Sequence, residues 1–362
     1  MRHVSSRYLP VQVWSGDEDG RVCVFDGGTG HTIHEASTGN AVRVCTIRDV
    51  GLEVWVGCQG GSIGRWTYSF EELPDLREHK HDVMALAAVG PAVWSGCIGG
   101  IIAVWDRCSG LSPRPDRDVR PQKLLYTGGH PILCMLTLRS GEKVVVGLDN
   151  GFLLFDARSR CQLRHILMHT PILDFAEVSV ASPKARSGPH KYGAVSSTEL
   201  WAACGDSGVF FYDCGTFEKT GWLLIDGDKV VALAAVSTTE VWGGTSDGSV
   251  WAWKAQSKKV IKHMKTHTDS VSAMAVLPNW SLNMLTLWVG SYDGGICIWV
   301  ACAMSERDEM SFRRHNDQTR LSLFGDSGVL EGTASRLWSL ATALPKHFFP
   351  ASASDVLRSV GD

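Results

Sequence analysis

Three groupings of residues in this 362-residue chain could do chemistry. The first is paired histidine, in His79-Lys80-His81 and in His263 with His267, where imidazole could ligate a metal or carry a proton. A metal site needs further donors at ligand spacing, and no Cys-x-x-Cys pair or carboxylate set completes either one. The second is a pair of glycine-containing turns, Asp26-Gly27-Gly28-Thr29-Gly30 and Asp106-Arg107-Cys108-Ser109-Gly110, which resemble phosphate cradles. A cradle of that kind opens a helix, so that amides and macrodipole converge on the anion. Each of these follows a strand pattern and opens no helix, so both read as hairpin loops. The sequence therefore predicts no catalytic residue, no cofactor and no metal, and a chain that is not an enzyme.

The third grouping is basic. Arg114 and Arg117 lie in a Pro-rich stretch, Lys184, Arg186 and Lys191 in a stretch without acids, and Arg313 and Arg314 in a third stretch diluted by Glu306, Asp308 and Glu309. Guanidinium and ammonium groups gathered on loops suit an acidic or phosphorylated peptide. The alternative reading is three solvated insertions, since charge runs ordinarily sit in water.

Something must hold these loops. Hydrophobic residues make up 44% of the chain and charged residues 20%, enough for a large core. The 35 Lys and Arg nearly balance the 38 Asp and Glu, so no whole-molecule field favours nucleic acid or an anionic membrane, and any such binding would be a local patch. Eleven cysteines without a pairing framework suit reduced thiols in a cytoplasmic or nuclear protein. Residues 1–10 show no secretory signal, and no apolar run approaches the roughly 18 residues of a membrane span.

The positioning element is a repeat. A motif of apolar-Trp-x-Gly, a short polar turn ending in Gly, and alternating apolar residues closing on an aromatic occurs seven times, some copies being degenerate. The copies run from Val13 to Phe25, Val54 to Trp66, Val93 to Trp105, Val145 to Phe155, Leu200 to Tyr212, Val241 to Trp253 and Leu287 to Trp299. Period-two alternation around Asp-Gly turns makes each a β-hairpin. The turn glycines Gly20, Gly61, Gly100, Gly151, Gly208, Gly248 and Gly294 are spaced by 41, 39, 51, 57, 40 and 46 residues, and the shorter spacings match one four-stranded blade.

A strand of alternating small and large apolar residues precedes most hairpins, most cleanly at Val83, Val230 and Val271, more loosely from Val42, Ile132 and Ile172. Small side chains belong in the innermost strand, where blades converge on a channel. Arg43 and Met84, at second positions of these strands, are expected to line it. The first hairpin has no such strand before it, and an unmatched copy, Leu337-Trp338-Ser339-Leu340-Ala341, follows the last hairpin. The expectation is an all-β, seven-bladed β-propeller over 1–344, closed by pairing of residues 337–341 with Val11 to Gly16, and a flexible extension over 345–362. Three long connections, Leu111 to Lys123, Glu177 to Thr198 and Ala301 to Arg320, are expected on the face opposite the Asp-Gly turns.

These residues resemble the WD-repeat family. Trp105-Asp106 is its eponymous dipeptide, and Phe25-Asp26, Phe155-Asp156 and Tyr212-Asp213 are variants. The resemblance implies a structural network of His, Asp, hydroxyl and Trp: His267, Asp293 and Trp299 fit three places with Val289 where the hydroxyl belongs, and His79 has no Asp in its turn. It also implies a scaffold binding one or more proteins or peptides, with no specific nucleic acid, as a monomeric ring within a larger complex. The Val-Trp-x-Gly form is similar to propellers attached to inositol polyphosphate 5-phosphatases and to some multidomain signalling kinases, so an alternative is the regulatory propeller of such an enzyme without its catalytic domain. A quinoprotein-like propeller is the enzymatic rival, and would call for an export signal and cofactor-stacking residues.

Overall fold

The computed structural model describes residues 11–303, apart from 40, 52, 107–119, 182–195, 206–207, 226–227 and 280–281, together with 336–341. The repeats become strands because branched and aromatic residues alternate with small or polar ones. Blade one holds β1 (Val11–Gly16), β2 (Arg21–Asp26) and β3 (Thr32–Ser37). Blade two is β4 (Val44–Asp49), β5 (Glu53–Cys58), β6 (Ser62–Thr67) and β7 (Glu72–Arg77). Blade three is β8 (Val83–Val89), β9 (Ala92–Cys97), β10 (Ile101–Asp106) and β11 (Lys123–Tyr126). Blade four is β12 (Ile132–Thr137), β13 (Lys143–Leu148), β14 (Gly151–Asp156) and β15 (Gln162–Leu167). Blade five is β16 (Ile172–Ala181), β17 (Ser196–Cys204), β18 (Gly208–Asp213) and β19 (Lys219–Leu223). Blade six is β20 (Val230–Ala235), β21 (Glu240–Thr245), β22 (Ser249–Lys254) and β23 (Val260–Lys265). Blade seven has three described strands, β24 (Val271–Asn279), β25 (Met284–Ser291) and β26 (Ile296–Ala303), and β27 (Arg336–Ala341) completes blade one at its inner edge. The expected seven-bladed all-β propeller is present, with no α-helix among the described residues.

The apolar-Trp-x-Gly motif builds the joints between blades. The second-strand Trp of one blade meets the third-strand aromatic of the next: Trp14 with Trp66 at 6.4 Å between ring centroids, Trp55 with Trp105 at 6.1 Å, Trp94 with Phe155 at 5.7 Å and Trp201 with Trp253 at 6.3 Å. Trp288 of blade seven meets Phe25 of blade one at 6.2 Å, so the last joint has the same construction. At two joints the pair is replaced by members of one apolar cluster, Val145 with Tyr212 and Trp242 with Trp299. The glycine two residues after most of these Trp residues has an equally direct purpose, Ala203 standing in its place after Trp201. A Cβ on Gly16, Gly96 or Gly244 would overlap the β-branched first residue of the next inner strand, Val44, Ile132 or Val271 respectively.

That contact corrects the inner strand of blade two. Its copy of the signature starts at Val44, not Val42, because Val44 pairs with Cys58 as Val83 pairs with Cys97. Val42 and Val44 are two apart, so alternation alone allows either register, and packing against Gly16 decides it. Each of β4, β8, β12, β16, β20 and β24 also carries a register shift after its first residue, a repeated bulge next to the channel.

Closure takes the form expected, with one unforeseen feature. Strand β27 pairs with β1 along its whole length, Leu337 opposite Gln12 and Ala341 opposite Gly16, but the pair is parallel. Every other pair in the seven sheets is antiparallel among the described strands. Strand directions explain how this is possible. The turns between second and third strands, such as 17–20 and 246–248, lie on one face, here the turn face, so third strands run toward the opposite loop face. Strand β26 therefore ends at the loop face, and β27, running with β1, begins there. The 345–362 extension lies outside the described residues.

Two of the three long connections start later than expected, while the one after β10 starts earlier, directly after Asp106. Antiparallel pairing continues to Ala181 opposite Ser196, so the blade-five connection is 182–195, and β26 continues to Ala303. Both segments have strand-like alternation that their charged flanks obscured. A chain ending before residue 336 is expected to melt at a lower temperature and to lose amide protection first in β1 and β2, read by hydrogen exchange. Unchanged melting and protection would show that the Phe25–Trp288 joint closes the ring without β27.

Candidate functional site

The seven basic residues singled out by the sequence, Arg114, Arg117, Lys184, Arg186, Lys191, Arg313 and Arg314, lie outside the described residues. The strand ends from which their segments leave are described. Asp106 ends a third strand, Ala181 a first strand and Ala303 a third strand, and by strand direction all three stand on the loop face, as expected. Two hairpins on that face are longer than their counterparts. In β16–β17 the ladder runs through nine residue pairs, and in β24–β25 through eight, whereas β20–β21 has five.

The chemical candidates among the described residues resolve into structure. In blade three the Ser95 hydroxyl accepts the Trp105 indole N–H at 2.8 Å and lies 2.7 Å from His79 Nε2. His79 Nδ1, which an Asp in the turn would meet, is buried without a hydrogen-bond partner. Blade seven keeps the other half. Asp293 lies 3.1 Å from His267 Nδ1 and accepts from the Thr268 and Gly295 amides, while His267 Nε2 and Trp299 Nε1 are buried and unpartnered beside Val289. Burial alone would raise the Asp293 carboxyl, but these hydrogen bonds and the neighbouring His267 outweigh it and hold the group below the ordinary carboxylate range. Ser95 was the member the sequence reading missed; its signal was a hydroxyl directly after the motif Trp. No group of three or more potential metal donors is assembled among the described residues.

The Asp26 turn is closed on itself. Its Oδ1 accepts from the Gly28 amide at 3.0 Å, the Thr29 amide at 2.7 Å and the Thr29 hydroxyl at 2.9 Å. The amides that could face a phosphate are already used. Asp156 and Asp213 repeat the arrangement with Ser159 and Thr216. The acid of the Trp-Asp-type dipeptide is thus a turn staple; of the Asp106 turn, residues 107–110 lie outside the described residues.

A channel runs through the ring. It contains a cavity of about 420 Å³ whose walls include Arg43 and Met84, as expected, although the bulge position of blade two belongs to Cys45. Met84, Leu133, Leu173 and Val231 add apolar side chains to its wall. Two charged groups were not foreseen. Asp174 occupies the place held by Ala85, Ala232 and Ala273 in other blades, and its carboxylate accepts from the Phe175 and Leu233 amides, each at 2.8 Å. Enclosure by the channel walls pushes its carboxyl up to about 6, although those two bonds and Arg48 act the other way. Arg48 also lines the cavity, and burial lowers its pKa. An acid at a position reserved for small residues was the signal available for Asp174.

No helix among the described residues is long and apolar enough to cross a membrane. No protein-family model matches the chain, and no curated protein matches it. Solved structures do share its shape. A chain in the crystal structure of the mitotic checkpoint complex is 15% identical with a TM-score of 0.63, over 83% of this chain and 95% of that one. The computationally designed Ika8 protein is 19% identical with a TM-score of 0.56, over 82% of this chain and 98% of that one. At such identities the likeness is one of fold alone.

Two expectations follow. Val289→Thr places a hydroxyl between His267 Nε2 and Trp299 Nε1, and is expected to raise stability by about 1 kcal/mol in chemical denaturation. A loss of stability, the ordinary outcome of Val→Thr in a core, would show that blade seven lacks that geometry. The second concerns pH. Burial holds His79 down at about 4, below its ordinary 6.5, so between those values the unfolded chain binds a proton that the folded blade refuses, and stability falls as pH falls. Asp174, raised from 3.8 to about 6, acts in the opposite sense, holding a proton in the fold that the unfolded chain releases. Between pH 6.5 and 4, His79→Gln is expected to flatten the fall in stability seen on acidification and Asp174→Asn to steepen it, read from denaturant midpoints at each pH.

Proposed function

We propose that this protein is a non-catalytic adaptor of the WD-repeat type, a monomeric ring that works within a larger complex and binds one or more protein partners through its loop face. The observation that carries the reading is the asymmetry of the two faces. Short connections closed by hydrogen bonds occur on both faces, but only the loop face carries in addition the two lengthened hairpins and the strand ends from which 107–119, 182–195 and 304–335 depart. A rigid ring can hold such segments at low entropic cost, which is how loops become recognition surfaces. Their basic residues, Arg114, Arg117, Lys184, Arg186, Lys191, Arg313 and Arg314, suit an acidic or phosphorylated segment of the partner. A propeller chain of similar fold is found in a multiprotein assembly, the mitotic checkpoint complex. Ten free cysteines among the described residues, half of them buried, fit a reducing compartment such as the cytosol or nucleus.

The test is quantitative affinity purification of the whole chain beside two variants, one lacking 182–195 and one with the seven basic residues changed to Glu. A stoichiometric partner is expected with the natural chain and is expected to be depleted at least tenfold with each variant, at unchanged melting temperature. Reproducible absence of any partner, or a partner retained by both variants, would refute the reading.

A further inference from the structure

The near-neutral net charge conceals an uneven rim. The fourth strands form the outer circumference, and those of blades one and two are acidic, with Glu35, Glu72 and Asp75 against Arg77. The fourth strands of blades three to six contain Lys123, Arg164, Lys219, Lys262 and Lys265 and not one Asp or Glu. Blade six is the most basic, because the end of β22 adds Lys254 and the turn before β23 adds Lys258 and Lys259.

Some of this charge is already used. Lys258 pairs with Glu199, and Lys265 pairs with Asp247 at 2.9 Å. Lys219, Lys259 and Lys262 are exposed and form no ion pair among the described residues. Lys219 sits 3.7 Å over the Phe210 ring and 5.1 Å from that of Trp222, and Lys262 lies 5.8 Å from the Trp299 ring, so aromatic faces support both cations from the protein side.

The same two blades display large apolar side chains. Trp222 is 61% exposed, Leu224 65%, Val260 52% and Ile261 42%. Lysine on an edge strand has an ordinary purpose, to deter pairing with another chain. That purpose calls for charge alone. It is met by Glu35 and Glu72 on blades one and two; Ile33, Tyr126, Leu163 and Leu167 are exposed on other fourth strands, but only blades five and six set a tryptophan and three aliphatic side chains in water among several lysines.

We propose that the rim of blades five and six is a docking surface for a lipid bilayer rich in anionic headgroups. Three features favour a bilayer over an acidic protein. The rim of a ring is convex and offers no groove for a peptide, whereas a flat surface can rest on two neighbouring blades at once. The apolar groups are dispersed among the cations and not gathered into one pocket, the pattern of a surface that dips shallowly into the headgroup layer. Tryptophan with an adjacent lysine is suited to that depth, the ring at the interface and the ammonium on the phosphates. Lys219, Lys258 and Lys259 lie at the loop-face end of this edge and Leu224 and Lys265 at its turn-face end, so the edge adjoins the adaptor face along one side only.

The test is flotation of the full chain with vesicles of phosphatidylcholine alone and with phosphatidylserine added. Recovery is expected with the anionic vesicles only, and is expected to fall as salt screens the lysines. Lys259→Gln and Lys262→Gln are each expected to weaken partitioning about fivefold, and Trp222→Ser to weaken it further, while Arg77→Gln on blade two leaves it unchanged. All four side chains are exposed, so melting temperature serves as the folding control, and the salt dependence of the natural chain stands without any variant. Deleting 182–195 is expected to leave flotation intact, which separates this surface from the proposed adaptor face. Equal recovery with neutral vesicles, none with anionic ones, indifference to the rim variants, or binding to polyglutamate in place of vesicles would overturn the proposal.

Discussion

The joint between neighbouring blades is the contact on which this molecule depends. A blade is a four-stranded sheet with two apolar faces and cannot bury either one alone. At five of the seven joints the Trp of the second strand covers the third-strand aromatic of the next blade, and a glycine two residues later, as at Gly16, Gly96 and Gly244, leaves room for that blade's first inner residue. One motif and its variants therefore set both the distance and the angle between sheets around seven blades, and bring blade seven back to blade one through Trp288 and Phe25. Fully buried indoles such as Trp14, Trp94 and Trp201 show how completely the joints exclude water. Closure follows from accumulated geometry, and β27 is laid into a slot that the joints have already defined.

Polar groups in this frame are kept where they hold a turn or a tryptophan. Trp55, Trp201 and Trp242 each donate to a glutamate two residues earlier, and Arg65 is bound to Glu53 by two bonds of 2.8 Å. Trp94 and Trp288, with Ala92 and Thr286 at that position, have no such acceptor, and their indole nitrogens are buried without partners. The same economy divides the histidine network between blades three and seven, each with half of the set. An unpaired buried donor costs about 1–3 kcal/mol, a loss that a ring with seven extensive apolar joints can absorb. Divergent repeats can therefore keep the fold after losing much of the polar pattern.

Rigidity at the joints leaves the surfaces free to differ. The turn face is short and internally bonded, the loop face is elaborated, and the rim changes character from acidic to basic and apolar around its circumference. Nothing in the packing demands these asymmetries, since outer strands and long connections contribute little to the joints. They are the places where sequence is free to serve partners. The channel is an intermediate case, with walls built by inner strands that must be mostly small, yet with Asp174 and Arg48 admitted into it.

By itself the sequence determined the number of blades, the strands of each hairpin and the pairing of residues 337–341 with Val11 to Gly16, because these follow from local alternation, turn residues and a repeat that can be counted. It also identified Asp26 as a turn residue and not a ligand for phosphate, since no helix pattern followed. Other properties waited for the tertiary structure because they depend on which blade a residue faces. Val42 and Val44 are equivalent to any period-two reading, and only Gly16 of the neighbouring blade chooses between them. Ser95 gains its role from His79, sixteen residues earlier, and from Trp105 across the sheet. The basic rim is invisible along the chain, where Arg164, Lys219 and Lys262 stand far apart, and emerges only when fourth strands from successive blades are set side by side. The direction of β27 was likewise beyond the sequence: parallel and antiparallel strands show the same alternation, and only the face from which a strand enters its sheet tells them apart.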